Sequence, residues 1–225
     1  MLAGMTPGGD LAQVTLDHFR REAAGQHPMP AGVAVAAVSA GFALGLIAKV
    51  LAVSGRHNTL PGHAARLEPL AAAAQAASQH MMQLAGEDIA AFEAYLAARR
   101  LARSTEAQRQ TRQQGIDSAV RRAIDLPLAA AQQAAAGLHL CREVAAFTSP
   151  ALAADLGVTA SLLAGAMRGF LLCAQSNARQ LAPEAASLRG RVATETERCA
   201  EALRMAEGLI ERARTAVETA PGKEP

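Results

Sequence analysis

The sequence has few aromatic residues: it contains no tryptophan and one tyrosine, and aromatics make up 3% of its 225 residues. β-Branched residues are scarce outside short stretches, whereas alanine is abundant. Because alanine is the strongest helix former, this composition predicts an all-α protein. A core packed by Ala, Leu, Val and Met lets helices approach closely and leaves little room for a deep cavity. We therefore expect any site to lie at helix ends or between subunits.

The sequence also lacks the residue patterns of several site classes. Cys141, Cys173 and Cys199 are odd in number and far apart, which argues against a disulfide framework and favours reduced thiols in a cytoplasmic protein. The six histidines form no HExxH motif and no short cluster with cysteine, so we predict no metal site. There is no Gly-rich phosphate loop, Rossmann fingerprint or serine nucleophile elbow. What remains is carboxylate chemistry on a helical scaffold.

A net charge of +2 is too close to neutral to indicate a nucleic-acid partner. The local exception is the stretch from Arg99 to Arg112, where five arginines are interrupted by one acid, Glu106. The favoured interpretation is a solvated helix turn, and an anion-binding rim is the alternative. No aromatic residues lie between these arginines, so the stretch offers no platform for stacking bases. We expect no nucleic-acid partner.

Residues 28–48 carry no charge and approach the length of a membrane-spanning helix. They consist mostly of Ala, Gly and Ser, which insert weakly, and Lys49 follows them directly. We interpret this segment as the central helix of a bundle and expect no membrane partner. Its small residues, and more apolar helical faces than one layer can bury, predict a homodimer.

Caps, prolines and apolar periodicity predict about six helices in one domain, residues 10–219, between tails at 1–9 and 220–225. Asp10 is the predicted cap of the first helix, and Thr105 with Gln108 forms a predicted capping box on the fourth. Pro127 is expected to kink that helix. Since the connections are short, we predict an up-and-down antiparallel bundle. The predicted helices span about 10–24, 30–55, 63–101, 105–146, 149–182 and 184–219.

Two acidic residues fall on apolar helix stripes. Asp155 is the only charged residue between Glu143 and Arg168, and a lone buried charge is costly. It must therefore be exposed at a helix end, paired, or held for chemistry; a functional and a structural role both remain open. Asp88 falls in register with core positions of the third helix, although drift of the stripe would place it at an exposed edge.

Six segments carry a resemblance to a known family. They are PAGVAVAA at Pro30, SGRH at Ser54, DIAAF at Asp88, DLPL at Asp125, ADLGVTA at Ala154 and CAQSN at Cys173. In this order they resemble the family containing the cyclodeaminase domain of formiminotransferase-cyclodeaminase and bacterial methenyltetrahydrofolate cyclohydrolases. The resemblance runs from about Leu16 to about Ala216, and the Asp88 and Asp155 segments are its specific matches. It implies a cyclodeaminase-like helical bundle.

The resemblance also implies an enzyme, a one-carbon hydrolase or lyase whose substrate is a tetrahydrofolate derivative and which needs no cofactor. Opening a methenyl bridge with water and expelling ammonia from a formimino group both act on an amidine-like carbon. A nearby carboxylate stabilises its positive charge and moves a proton. Asp155 would be this general acid/base. The substrate-binding positions implied by the resemblance are Gly32, Ala34, Arg56, His57, Asp88 and Asn177.

The chain departs from the family pattern at three places. The family's triple-Gly-Ser turn, which is thought to help receive the folate, is here Ala31, Gly32, Val33 and Ala34. The first Asn of a late pair is Cys173, and a Lys-Lys pair is Arg56-His57. Side chains at positions of close approach predict weak folate binding. Two alternatives follow: a non-catalytic binding or structural dimer, or a different small-ligand site that reuses Asp155.

Overall fold

The computed structural model describes residues 11–57, 63–146, 148–179 and 186–219. These residues contain six α-helices and two short 3-10 helices, Leu11–Gln13 and Pro150–Leu152, and they contain no strand. The predicted all-α class is confirmed. The predicted tails, 1–9 and 220–225, lie outside the described residues. The helices are α1 Leu16–Ala23, α2 Gly32–His57, α3 His63–Arg100, α4 Glu106–Ala145, α5 Ala153–Arg179 and α6 Ala186–Thr219.

Two helix starts differ from the prediction. The hydroxyl of Thr15 accepts a hydrogen bond from the N–H of His18 at 3.2 Å, so Thr15 caps α1. Asp10, the predicted cap, lies outside the described residues. On α5, a 3-10 turn precedes the helix, which begins at Ala153 rather than at Ser149. Asp155 therefore lies in the first turn of α5, not in its second. The capping box of Thr105 and Gln108 on α4 is confirmed.

Consecutive long helices pack against each other, as an up-and-down bundle requires. α2 lies between α3 and α5, and it also touches α4. On the α3 side, the hydroxyl of Ser78 donates to the carbonyl of Gly41 at 2.7 Å. On the α5 side, Gly32 lies beside Cys173 while Lys49 reaches Asp155, so α2 and α5 are antiparallel.

Small residues let the central helices approach closely, as the composition predicts. A Cβ added to Gly137 of α4 would lie 2.7 Å from Leu44 of α2 and 3.1 Å from Leu163 of α5. Leu44 and Leu163 are fully buried, so these three helices meet in the core. A single cluster of buried residues extends over α2 to α6.

The buried stripe of α6 differs from the one that its apolar residues predict. Heptad-like spacing in the sequence predicts a core stripe of Leu188, Val192, Cys199, Leu203, Ile210 and Val217. In the structure Val217 is exposed, and Glu195, which is not part of that stripe, is buried. The Glu195 carboxylate accepts a hydrogen bond from Nε2 of Gln132 on α4 at 2.9 Å. The observed stripe alternates steps of four and three residues: Leu188, Val192, Glu195, Cys199, Ala202, Ala206, Leu209 and Ala213.

Within the part of the chain that the structure describes, two helices are long and apolar enough to cross a membrane by length and composition alone. They are Gly32–Gly55 of α2 and Ala153–Arg179 of α5, whose most apolar windows are 61% and 50% buried inside the bundle. This is weak evidence for a membrane span, because the core helix of a soluble protein passes the same test. The packing of α2 against α3, α4 and α5 fits the central-helix interpretation.

Candidate functional site

The start of α2, a turn of α3 and the end of α5 meet at one end of the bundle. There the Asp88 carboxylate of α3 accepts a hydrogen bond from the backbone N–H of Ala34. Ala34 is in the first turn of α2, whose N–H groups have no acceptor within their own helix. The positive end of the helix dipole also favours a carboxylate here. We call Gly32, Ala34, Asp88 and Cys173 the Asp88 site.

Burial dominates the electrostatics of Asp88. It raises the pKa of this carboxyl from 3.8 to about 6, although the hydrogen bond from Ala34 acts in the opposite direction. Leu84 and Ala91, one helical turn to either side, are buried, so Asp88 keeps the core register and does not lie at an exposed edge. The feature of the sequence that indicates this position is the helical spacing of Asp88 from Leu84 and Ala91. A carboxyl with such a pKa exchanges protons readily near neutral pH.

Cys173 of α5 lies close enough to Asp88 for the carboxylate to act on its thiol. A Cβ added to Gly32 would lie 3.3 Å from its Sγ, so glycine at position 32 lets α2 and α5 come together. Burial raises the pKa of the Cys173 thiol, and the negative charge of Asp88 raises it further. At neutral pH this thiol is therefore protonated and not a nucleophile.

The altered turn before α2 has two buried and two exposed residues. Val33 and Ala34 are buried, whereas Ala31 and Gly32 are exposed. Among the described residues, no residue other than glycine has a positive φ, so Ala31, Val33 and Ala34 need no left-handed backbone. That the side chains of this turn weaken folate binding stays a prediction. The open edge of the site is at Ala31 and Gly32.

Asn177 lies one helical turn beyond Cys173, at the same end of the bundle. Its side-chain Nδ2 donates to the backbone carbonyl of Ala123 on α4 at 2.8 Å. That carbonyl is four residues before Pro127, which has no N–H to donate to it. Asn177 therefore supplies the hydrogen bond that Pro127 cannot, which is a structural role for a residue predicted to bind substrate.

Asp155 lies at the opposite end of α5. Of the three possibilities for this acid, the structure shows pairing: its carboxylate is 3.6 Å from Nζ of Lys49 on α2, and its side chain is 35% exposed. Eighteen residues separate Asp155 from Cys173, which corresponds to about 27 Å along the helix. Within one protomer, Asp155 and Asp88 therefore do not share a site.

Arg56 and His57 end α2, and their backbone lies towards the Asp155 end of the bundle. Their side chains lie outside the described residues. The predicted site residues thus form two groups: Gly32, Ala34, Asp88 and Asn177 at one end, Asp155 with the Arg56–His57 segment at the other.

The arginine-rich stretch forms the turn between α3 and α4. Arg109 pairs with Glu106 at 2.7 Å, and Nε of Arg112 donates to the carbonyl of Arg99 at 3.4 Å. These bonds close the turn, which supports the structural interpretation of the stretch. Arg100 is 12 residues beyond Asp88, about 18 Å along α3. Among the described residues, no group of three His, Cys, Asp or Glu side chains could hold a metal ion.

The fold and this site define an all-helical bundle that holds a half-buried carboxylate at the start of its most apolar helix. The sequence model of the formiminotransferase-cyclodeaminase family matches residues 15–198, and the chain belongs to this family. Its structure is similar to that of a formiminotetrahydrofolate cyclodeaminase from Thermotoga maritima, with 22% sequence identity and a TM-score of 0.75. The match covers 92% of this chain and 98% of that one. Among curated proteins, none matches this chain in sequence.

Proposed function

We propose that this chain is a one-carbon hydrolase or lyase that acts on a tetrahydrofolate derivative at the Asp88 site. The observation that carries the proposal is a carboxyl whose pKa burial raises to about 6, placed where α2, α3 and α5 meet. Family membership supports the substrate class. The site lies at helix ends, where a tightly packed bundle has room for a ligand.

The proposed chemistry needs a group that first accepts and then donates a proton. In methenyl hydrolysis, Asp88 takes a proton from water as the water oxygen bonds to the methenyl carbon. One carbon–nitrogen bond of the bridge then breaks, the departing nitrogen receives that proton, and the second proton of the added water is released to solvent as the formyl C=O forms. In cyclodeamination the second folate nitrogen bonds to the formimino carbon and gives up its proton to Asp88, and the same carboxyl then protonates the amino group, which leaves as ammonia. A pKa near 6 leaves Asp88 mostly ionised at pH 7, so it stabilises the cationic carbon and still exchanges its proton.

Asp155 is the second candidate for the acid/base role, since it lies in one of the two specific family segments, ADLGVTA. A non-catalytic or altered-ligand descendant is the second candidate function. It is favoured by Cys173, which places a protonated thiol where the family has an asparagine. We retain the predicted cytoplasmic location, the homodimer and the absence of membrane and nucleic-acid partners as parts of the proposal.

The test is turnover of 5,10-methenyltetrahydrofolate, followed by ligand absorbance, in three Asp→Asn variants. We expect Asp88→Asn to lose about two to four orders of magnitude in kcat, because an amide does not exchange a proton. Asp117→Asn is the matched control: Asp117 is an exposed α4 residue bonded to Gln113, and its substitution leaves activity unchanged.

Asp155→Asn decides between the two acids. If it loses activity while Asp88→Asn retains it, Asp155 is the acid/base and the proposal for Asp88 is wrong. If the wild type neither binds nor converts methenyltetrahydrofolate or formiminotetrahydrofolate, the chain is a non-catalytic or altered-ligand descendant.

A further inference from the structure

Residues 12–28 link two buried anchors beside the Asp88 site. Before them, Leu11 is 4% exposed, and its Cβ lies 3.9 Å from a Cβ added to Gly86, two residues before Asp88 on α3. After them, Met29 is 5% exposed and is separated by one proline from the open edge of the site. Since α1 belongs to this segment, it lies at the mouth of the Asp88 site.

α1 is held loosely against the bundle. It contains no buried residue, and among the described residues it is the only α-helix that does not pack extensively against another helix. Asp17 pairs with Arg20 at 2.8 Å and with Arg21 at 2.9 Å, so these ion pairs lie within α1 itself. Phe19 of α1 and Val14 before it pack against the core. A helix with so few buried apolar contacts moves at little cost in free energy.

The face that α1 turns to the bundle is not its apolar face. Successive residues of a helix are about 100° apart, so Leu16, Phe19 and Ala23 form one apolar face. The half-buried residues are instead His18, Phe19 and Glu22. The centres of these two faces differ by about a quarter turn.

This orientation leaves two groups in unfavourable surroundings. Leu16 is 64% exposed, and Nε2 of His18 is buried without a hydrogen-bond partner among the described residues. An unpaired buried nitrogen costs free energy. Turning α1 by about a quarter turn corrects both, because it moves Leu16 to the inner side and His18 towards water. Phe19 stays on the inner side in both positions and acts as the pivot.

We infer that α1 is a lid of the Asp88 site and that Leu16 is a binding residue: when a ligand enters the site, α1 turns by about a quarter turn and Leu16 covers the ligand. The inference rests on the proposed function, because the planar p-aminobenzoyl ring of a tetrahydrofolate derivative gives Leu16 an apolar surface to cover. This contact forms in the turned position only, so ligand binding drives the turn. A closed lid holds the substrate beside Asp88.

The turn makes opposite predictions for two neighbouring positions. Leu16→Cys and His18→Cys are each alkylated with iodoacetamide, and peptide mass spectrometry separates these positions from the native cysteines. The ligand is 5-formyltetrahydrofolate, a stable tetrahydrofolate derivative, at concentrations that saturate each variant. We expect the ligand to slow alkylation at position 16 at least tenfold and to accelerate it at position 18.

Val217→Cys is the matched control for alkylation. Val217 is 54% exposed on α6, four residues after Ala213, which lies beside Gly157 at the opposite end of the bundle from Asp88. The ligand leaves the alkylation rate at position 217 unchanged.

Binding affinity gives a second readout. By calorimetry, Leu16→Asp weakens binding of 5-formyltetrahydrofolate at least tenfold, whereas Leu16→Met, which keeps an apolar side chain, stays close to the wild type. Urea unfolding of free Leu16→Asp is unchanged, because Leu16 is exposed before the lid closes. Val217→Asp changes neither binding nor unfolding.

The results separate the lid from the proposed function. If the wild type binds and converts folates but alkylation at position 16 is unchanged by the ligand, the lid is wrong and the proposed function stands. Equal slowing at positions 16 and 18 would also overturn the inference, because the mouth would then be covered without a turn of α1. A wild type that neither binds 5-formyltetrahydrofolate nor converts methenyltetrahydrofolate would overturn both.

Discussion

At Asp88, the carboxylate gains a hydrogen bond from Ala34 and the positive end of the α2 dipole, yet burial outweighs both and raises its pKa to about 6. The folded protein therefore holds this proton more tightly than the unfolded chain does. A structural acid with a hydrogen bond usually has a lowered pKa, so Asp88 lowers stability at neutral pH. Groups that cost stability in this way cluster at functional sites.

The raised pKa of Asp88 makes the free energy of unfolding depend on pH. Below about pH 4, Asp88 is protonated in both the folded protein and the unfolded chain, so its ionisation does not lower stability. As the pH rises from about 4 to about 6, the unfolded chain loses this proton before the folded protein does, so stability falls. Above about pH 6 the penalty is constant, at most about 3 kcal/mol for a shift of this size.

We predict that Asp88→Asn stabilises the protein by about 1 to 3 kcal/mol at pH 8, because the amide stays neutral and its oxygen still accepts from Ala34. The gain shrinks towards pH 4. Urea unfolding at pH 5, 6 and 8 measures it. Asp155→Asn, which instead removes an exposed ion pair, serves as the comparison. A variant less stable than wild type at pH 8 would show that ionised Asp88 supports the fold.

Single residues were predicted from the sequence with uneven success. The register of Asp88 with Leu84 and Ala91 indicated that a buried acid was possible, but the favoured interpretation, an exposed edge of the stripe, was wrong. Asp155 has an equally apolar neighbourhood in sequence, but Lys49, 106 positions earlier, neutralises it at the protein surface. Pairing across two helices depends on which helices become neighbours, and one apolar stripe does not contain that information.

At the scale of elements, Pro127 of α4 and the end of α5 are coupled. Pro127 deprives the carbonyl of Ala123 of its helical donor, and Nδ2 of Asn177 supplies the missing hydrogen bond at 2.8 Å. This bond fixes the end of α5, and with it Cys173, relative to α4. It links the DLPL and CAQSN segments, two of those that carry the family resemblance.

We predict that Asn177→Ala costs about 1 to 2 kcal/mol of unfolding free energy in the wild type, because it leaves a half-buried carbonyl without a donor. In a Pro127→Ala background the new N–H reaches Ala123, so the same substitution costs much less. A double-mutant cycle in urea should give a coupling of about 1 kcal/mol. If Asn177→Ala costs the same unfolding free energy in both backgrounds, Asn177 acts independently of Pro127.

The buried acid of α6 illustrates what helix periodicity can and cannot predict. The steps of four and three from Leu188 to Ala213 pass through Glu195, and a stripe chosen by apolar residues alone skips it. A glutamate is accommodated there because Gln132 of α4 donates to it. Apart from the start of α1, which lies well after the predicted cap Asp10, helix bounds were predicted to within a few residues because caps and prolines are local. The partners of a polar residue inside a stripe are not local.

We predict that Gln132→Ala destabilises the protein by about 1 to 3 kcal/mol, since it deprives the buried Glu195 carboxylate of a hydrogen bond. Replacing both residues with leucine recovers most of this loss, because no buried charge remains. Thermal and urea unfolding measure both variants. Glu197→Ala, at an exposed position of α6, is the control and has little effect.

At the scale of the whole molecule, small residues set the distances between the helices. The alanine-rich composition predicted close approach, and the structure places it where three helices meet at Gly137. The proposed site lies at the start of α2, a helix end, which is where the composition leads us to expect a site. The order and antiparallel arrangement of the helices followed from their short connections. The separation of the predicted site residues into two groups at opposite ends of the bundle did not follow from the connections, because it depends on which helix ends meet in space.

Two helical glycines should respond to substitution in opposite ways. A Cβ added to Gly157 of α5 would lie 2.8 Å from Cβ of Ala213 on α6, closer than real Cβ atoms approach. The Ala213 Cβ is fixed to its backbone, so only a shift of α6 relieves the contact. Gly157→Ala should destabilise the protein by about 1 to 3 kcal/mol, which exceeds the roughly 1 kcal/mol that alanine gains over glycine in a helix. Gly190→Ala, with open space around it, should stabilise the protein by about 0.5 to 1 kcal/mol. Urea unfolding of both variants measures the sign of each change in unfolding free energy. A stabilising Gly157→Ala would mean that α5 and α6 lie farther apart in solution.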